Sequence, residues 1–340
     1  MHNVPIVDAH LDLGWNAAAG RDLTRPSEEI RASEDRTEHR AMVSFPDMVA
    51  GGVALVFGSI FCMTKVFDGT DHDFEPEIAE RGKQQIDIYR RYEDDGVVRI
   101  IRDAKALDAH LGLWETDRVP GLLIAMEGAE PIESPDELQW WFDAGLRMIG
   151  PAWGPTRYCG GFTGSKGIAS GFTDIGRELV AGMKSLQVPL DVAHSSTELY
   201  WEGVHSDHPH VCCTHTSPQE VLDIDRMPDA HQLSALASRG GVIGLGLGNI
   251  FLTKQAWGDG NPGVPISRVG EVFEIMASSA GWDHVGIGSD LDGGIGVDES
   301  PVELGSIADI GKIADTLPDH ARAGVMGENW IRFLREALPA

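Results

Sequence analysis

The sequence predicts an α/β fold, a (β/α)8 barrel of the TIM type in a single domain over residues 1–340. Three observations predict it. Short apolar runs alternate with helical patterns across most of the chain, which is the signature of a parallel sheet with crossover helices. Eight or nine of these runs are strand candidates, close to the number a barrel needs. And 340 residues with 42% hydrophobic content suit one large α/β core.

Taken in order, the first run is Pro5-Ile6-Val7, leading into Asp8-Ala9-His10-Leu11-Asp12. Gly51-Gly52 opens a second strand at 53–57, and a charged helix follows at 76–95. Between them, the acidic stretch 67–74, which includes His72, reads as a surface loop. Residues 97–101 form a short strand candidate, the one most easily placed outside the barrel, and 103–111 a helix. The buried-type strand 120–126 ends at Glu127-Gly128. Ser134, Pro135 and Glu137 have the spacing of a capping box at the start of a helix at 137–144. A strand at 146–149 then meets a glycine-rich loop at 150–171 that carries Trp153, Arg157, Tyr158 and Lys166. Its glycines match no phosphate-binding pattern, so it reads as a lid or wall.

Thr173 caps a helix whose apolar stripe is Ile175, Leu179, Met183 and Leu186. The strand 188–193 ends at His194, and the strand 210–214 ends at His215. A helix at 230–239 stops at Gly240-Gly241. Strand 242–247, helix 266–280 and strand 284–289 follow, the last ending at Asp290-Leu291-Asp292-Gly293-Gly294. Residues 305–316 and 329–338 read as outer helices.

Composition removes several functions. The net charge of −26 argues against a nucleic-acid footprint and against attraction to anionic membranes. No run is long enough to span a bilayer, and a ligand pair at positions 10 and 12 leaves no room for a cleaved leader. The expectation is a cytoplasmic protein with neither a nucleic-acid nor a membrane partner. Cys62, Cys159, Cys212 and Cys213 have neither metal-binding nor disulfide-scaffold spacing and read as buried thiols.

The chemistry lies in where the polar residues fall. In a strand, residues two apart share a face, so His10 and Asp12 project together. His10, Asp12, Glu127, His194, His215 and Asp290 all sit at or just beyond C-terminal strand ends, which is the catalytic rim of a barrel. Three histidines and three carboxylates exceed the needs of a single zinc. They suit two metals bridged by a carboxylate and a hydroxide. Asp292 could join this set, but in Asp-Gly-Gly it reads first as a turn residue. Ser195 and Ser196 lack a nucleophile elbow.

The ordered set Asp8-Ala9-His10-Leu11-Asp12, Glu127-Gly128, Asp191-Val192-Ala193-His194-Ser195, Thr214-His215-Thr216-Ser217 and Gly288-Ser289-Asp290-Leu291-Asp292-Gly293 resembles the membrane dipeptidase (renal dipeptidase) family, M19. The likeness runs from about residue 5 to about 335 and includes Gly51-Gly52-Val53 and Gly327-Glu328-Asn329-Trp330. It implies a barrel of the amidohydrolase superfamily that hydrolyses dipeptides and holds two Zn2+. His10 and Asp12 would hold one zinc and His194 and His215 the other, with Glu127 and a hydroxide bridging. Asp290 would move protons, Arg226 would bind the substrate carboxylate, and the assembly would be a homodimer.

One position departs from the family. Where the likeness implies a histidine that stabilises the tetrahedral intermediate, this chain has Trp153, whose indole N–H donates but carries no charge. Arg157 or Tyr158 are the nearby groups that could compensate. Two other functions therefore stay open beside the dipeptidase. One is a binuclear zinc hydrolase of another amide, ester or lactone. The other is a catalytically silent metal- or ligand-binding member.

Overall fold

The computed structural model describes residues 4–35, 37–62, 77–161, 171–257 and 263–340. The acidic stretch 67–74 with His72, and Lys166 with residues 162–170 of the glycine-rich loop, lie outside the described residues.

Among the described residues the apolar runs form nine strands: β1 (Ile6–Leu11), β2 (Val53–Phe61), β3 (Arg99–Ile100), β4 (Gly121–Glu127), β5 (Leu146–Gly150), β6 (Leu190–Asp191), β7 (Val211–Thr216), β8 (Ile243–Leu245) and β9 (Val285–Ile287). Every ladder between them is parallel. The hydrogen-bonded order is β1-β2-β4-β5-β6-β7-β8-β9, with β3 attached only to β4. The result is a nearly closed barrel of eight strands. The 97–101 run shrinks to β3, which pairs with Gly121 and Leu122 before β5 takes over that side of β4 from Ile124 onward.

Between β9 and β1 individual hydrogen bonds close the seam. Ser289 N–H donates to Asp8 Oδ1 at 2.8 Å, and Asp290 N–H to the His10 carbonyl at 3.2 Å. All nine residues of β2 and all seven of β4 are buried, as expected of strands covered on both faces. Their residues still alternate. Leu55, Phe57, Leu123 and Ala125 pack with Trp330 and Phe333 of the C-terminal helix Asn329–Ala337, while Val56, Ile60, Leu122, Ile124 and Met126 join the larger core.

Several helices differ from expectation for local reasons. The helix expected at 103–111 runs over Ala104–Asp117, because Trp114 continues the buried stripe of Leu107 and His110. His110 holds its place there through Nε2, 2.8 Å from the Ala54 carbonyl. In Asp174–Leu186 the buried stripe is Gly176, Leu179, Val180 and Met183; Ile175 is 39% exposed, so it lies off the packed face. Thr173 caps that helix as expected, accepting from Gly176 N–H. The capping box at Ser134 does not form: Pro135–Glu137 is a 3-10 turn, and the Glu137 carboxylate accepts from Glu133 N–H instead. The segment expected as an outer helix at 305–316 is a 3-10 helix, Ile307–Thr316.

Candidate metal centre

The six rim residues converge. His10 lies on β1, and Asp12 follows one residue after the strand, as the N-cap of the helix Leu13–Ala18. Glu127 is the last residue of β4, and His215 lies near the end of β7. His194 and Asp290 each sit three residues beyond their strands, both with φ of 59°. Non-glycine residues adopt this left-handed conformation at a cost, and such strain gathers at working sites. All six are buried.

Their atoms form two groups joined by Glu127. On one side, His10 Nε2 lies 3.5 Å from Glu127 Oε2, 3.8 Å from Asp12 Oδ1 and 3.9 Å from Asp290 Oδ1. On the other, Glu127 Oε1 lies 2.7 Å from His194 Nε2 and 3.4 Å from His215 Nε2. The two Nε2 atoms are 2.8 Å apart.

Charge is poorly balanced within this set. Burial lowers the proton affinity of His10, but Glu127 and then Asp12 and Asp290 outweigh it and push its pKa up to about 10. Burial and Glu127 raise Asp12 to about 7, and burial holds Asp290 well above the usual carboxylate range. Glu127 goes the other way: its burial is outweighed by His10 and His194, which hold it well below 4.5. Burial, helped by Arg226, lowers His194 to about 4, and burial with His10 nearby lowers His215 well below 6.5. Two imidazoles are thus neutral and ready to ligate.

The donors fit a divalent cation. His10, Glu127 and His215, and again His10, Asp12 and Asp290, each offer atoms within 4.8 Å of one another. His10 Nε2 is buried without a hydrogen-bond partner, and the three carboxylate oxygens around it stand too far off to bond. That spacing suits an ion seated between them. Imidazole and carboxylate together suit zinc and similar metals.

The other two predicted residues border this centre. Arg226 follows β7 in the loop after His215, with its guanidinium 5.2 Å from the Phe251 ring centre. Burial lowers its pKa, while the negative charges of Asp290 and Glu127 pull the opposite way. Trp153 packs edge-on to Phe61 at 4.9 Å, and its ring lies 6.2 Å from that of His194. Neither suggested substitute for the oxyanion histidine is directed to this role. Arg157 is engaged with Glu130 at 2.9 Å and with the Glu133 carbonyl at 2.7 Å, and the buried Tyr158 hydroxyl donates to the Ile132 carbonyl at 2.6 Å.

Five residues support the centre; the sequence reading gave no such role to Asp8, Asp191, Ser59 and Tyr89, and read Asp292 first as a turn residue. Asp8 Oδ1 accepts from the N–H groups of His10 and Ser289, tying two rim segments together. Asp191 accepts from the N–H groups of Ala193 and Thr214. The Ser59 hydroxyl donates to Asp12 Oδ1, and Tyr89 in turn donates to the Ser59 carbonyl at 2.5 Å. Asp292 is more than a turn residue: it is buried, accepts from Met42 and Val43 N–H at 2.9 Å each, and faces Arg21 at 3.3 Å. The available signal was a polar residue inside an otherwise apolar run, as in Ile-Val-Asp and Pro-Leu-Asp-Val.

A parallel barrel carrying such a donor set on its C-terminal rim fits a metal-dependent hydrolase, and the family match gives that class. The chain belongs to the membrane dipeptidase family, peptidase family M19, whose model matches residues 1–339. A protein of Klebsiella pneumoniae described as uncharacterized, from the pqqA 5' region, is 29% identical over 64% of this chain and 83% of its own length. The fold is similar to that of a solved M19 dipeptidase (TM-score 0.80, 23% identity, 99% of both chains). It is also similar to a metallopeptidase of Rhodobacter sphaeroides solved with a phosphinate mimic of L-Ala-D-Ala (TM-score 0.77, 22% identity, 98% and 99% of the chains). No helix among the described residues is long and apolar enough to cross a membrane.

Proposed function

We propose that this hydrolase is a zinc-dependent dipeptidase that cleaves small dipeptides, including those with a D-residue at the C-terminal position. The observation that carries the proposal is the split of Glu127, which turns Oε2 toward His10 and Oε1 toward His194 and His215. One carboxylate so placed can serve two cations. His10 and Asp12 would hold one zinc, His194 and His215 the other, and Glu127 both. Held there, two zinc ions would supply Lewis acidity and would lower the pKa of a water toward neutrality.

The chain's own residues do the rest. Asp290 has a raised proton affinity and lies 3.9 Å from His10 Nε2, which suits a group that takes a proton from water and passes it to the leaving amine. Arg226, a buried cation under the electrostatic influence of Asp290 and Glu127, pairs with the free carboxylate of the substrate and so selects dipeptide length. Trp153 forms an aromatic wall beside His194. The mimic bound by the Rhodobacter sphaeroides relative supports the substrate class. The described cysteines are free and buried, which fits a reducing, cytoplasmic setting. A homodimer completes the proposal on the family likeness alone.

Trp153 also favours a second reading, hydrolysis of another amide, ester or lactone that leans less on a charged oxyanion donor. The deciding experiment is hydrolysis of a panel of dipeptides with L- or D-residues at the C-terminal position, together with N-acyl amino acids, esters and lactones, by zinc-loaded protein with and without chelator. Chelator-sensitive dipeptide cleavage is the expected result. Cleavage of only the other classes would favour the second reading, and no turnover by protein carrying two metals would identify a silent binder.

A further inference from the structure

We infer that Asp191 and Thr214 form a hydrogen-bond relay that fixes the tautomer of His215 and so sets how tightly the centre holds its metal. The inference rests on the proposed role of His215 as a ligand. Asp191, the last residue of β6, uses Oδ1 to accept two backbone N–H groups, those of Ala193 and Thr214, each at 2.9 Å. Its Oδ2 lies 2.5 Å from the Thr214 hydroxyl. A carboxylate on which three donors converge acts as acceptor only, so the Thr214 proton is committed to Asp191. The hydroxyl then has only lone pairs to offer His215 Nδ1, 3.0 Å away.

Nδ1 must therefore carry the ring proton. The lone pair is left on Nε2, the atom that faces Glu127 Oε1 and His194 Nε2. Outer partners of this kind orient a ligating imidazole and make it a better donor, and their loss typically lowers metal affinity by about 10- to 100-fold. Thr214 and Asp191 are positioning residues: neither is placed to touch substrate.

The relay has a polarity that can be reversed. In Asp191→Asn the two backbone N–H groups keep the carbonyl oxygen at the Oδ1 position, so the amide nitrogen replaces Oδ2 and donates to Thr214. The Thr214 proton then turns toward His215 Nδ1, and the ring proton moves to Nε2, where it opposes a metal. Thr214→Val removes the hydroxyl with little change of shape in a strand, and Thr214→Ser restores it.

The test uses the full chain stripped of metal. It combines 15N NMR of the histidine rings, with His215 assigned by its loss in His215→Ala, and zinc titration against a chromogenic chelator. Wild type should carry the His215 proton on Nδ1 and D191N on Nε2. Zinc affinity should fall about 10- to 100-fold in D191N and T214V and recover to within about threefold in T214S. A wild-type proton on Nε2, or wild-type zinc affinity in both D191N and T214V, would overturn the relay. Undiminished zinc binding by His215→Ala would instead overturn the ligand role itself. Should T214V fail to fold, the wild-type and D191N tautomers still decide.

Discussion

Two adjacent glycines should respond to the same substitution in different ways, one losing turnover and the other only stability. The backbone of Gly293 lies outside the left-handed region, so an alanine there meets no conformational objection. Its Cβ, however, would overlap Asp290 Oδ1 and come within 3.0 Å of Asp12 Oδ2. Asp290 has little freedom to yield, since its backbone is already left-handed and its carboxyl is buried among His10, Asp12 and Glu127. Gly293→Ala should therefore displace Asp290, the proposed proton carrier. A displacement of about 1 Å is enough to lower turnover on the order of 100-fold. The stability cost is that of modest overpacking, about 1–3 kcal/mol.

Gly294 is the control. Its φ is +77°, and nothing lies within 4 Å of an added Cβ. Gly294→Ala meets only the backbone penalty of a left-handed L-residue, roughly 1–2 kcal/mol, with no contact to the centre. Kinetics on a cleaved dipeptide, zinc content and thermal melting of both variants make the comparison. A Gly293→Ala enzyme with turnover within threefold of wild type would refute the placement of Asp290 against that glycine.

Three further outcomes follow from the same geometry. Asp290→Asn should retain both metals yet lose about 10²- to 10⁴-fold in kcat, the usual worth of general acid-base catalysis; undiminished turnover would remove Asp290 from the proton path. Arg226→Met should lower kcat/KM for free dipeptides by about 10- to 150-fold, the equivalent of a charged hydrogen bond of about 1.5–3 kcal/mol, and leave C-terminal amides nearly unaffected. Equal losses on both substrates would argue against carboxylate recognition. For pH, the metal-free His10 has a pKa raised from 6.5 to about 10. Its contribution to stability is thus complete below 6.5 and lost as pH rises through 10, so metal-free protein should weaken between pH 7 and 9 by up to about 1.4 kcal/mol per unit. Zinc held by His10 as proposed would displace the same proton, so zinc affinity should rise up to about tenfold per unit over that range. Urea melts and chelator competition at pH 7, 8 and 9 check both, and flat profiles would contradict the charge balance described for His10.

The barrel was legible because a parallel (β/α) chain converts position along the sequence into position in space. Each strand points the same way, so a side chain at any strand end reaches the same rim, and His10, Glu127 and His215 need only their own strands to be recognised. His194 and Asp290 were found by the same rule, although they sit beyond short strands. In β6 the run expected at 188–193 keeps only Leu190 and Asp191 in the sheet, since Pro189 has no N–H to give a ladder and His194 already turns left-handed. What supports the ligands was not legible, because it depends on which residue of one strand stands beside which of the next. Asp191 meets Thr214 through the register of β6 on β7, and Asp292 meets Met42 across 250 positions of sequence. Arg157 makes the same point in reverse. Near Trp153 in the sequence, it looks available to the substrate, but Glu130 beyond the end of β4 draws it away from that role. Trp153 therefore stands beside His194 without the charged neighbour that the sequence offered it, which is why the proposed range of substrates, more than the proposed metal, rests on this one side chain.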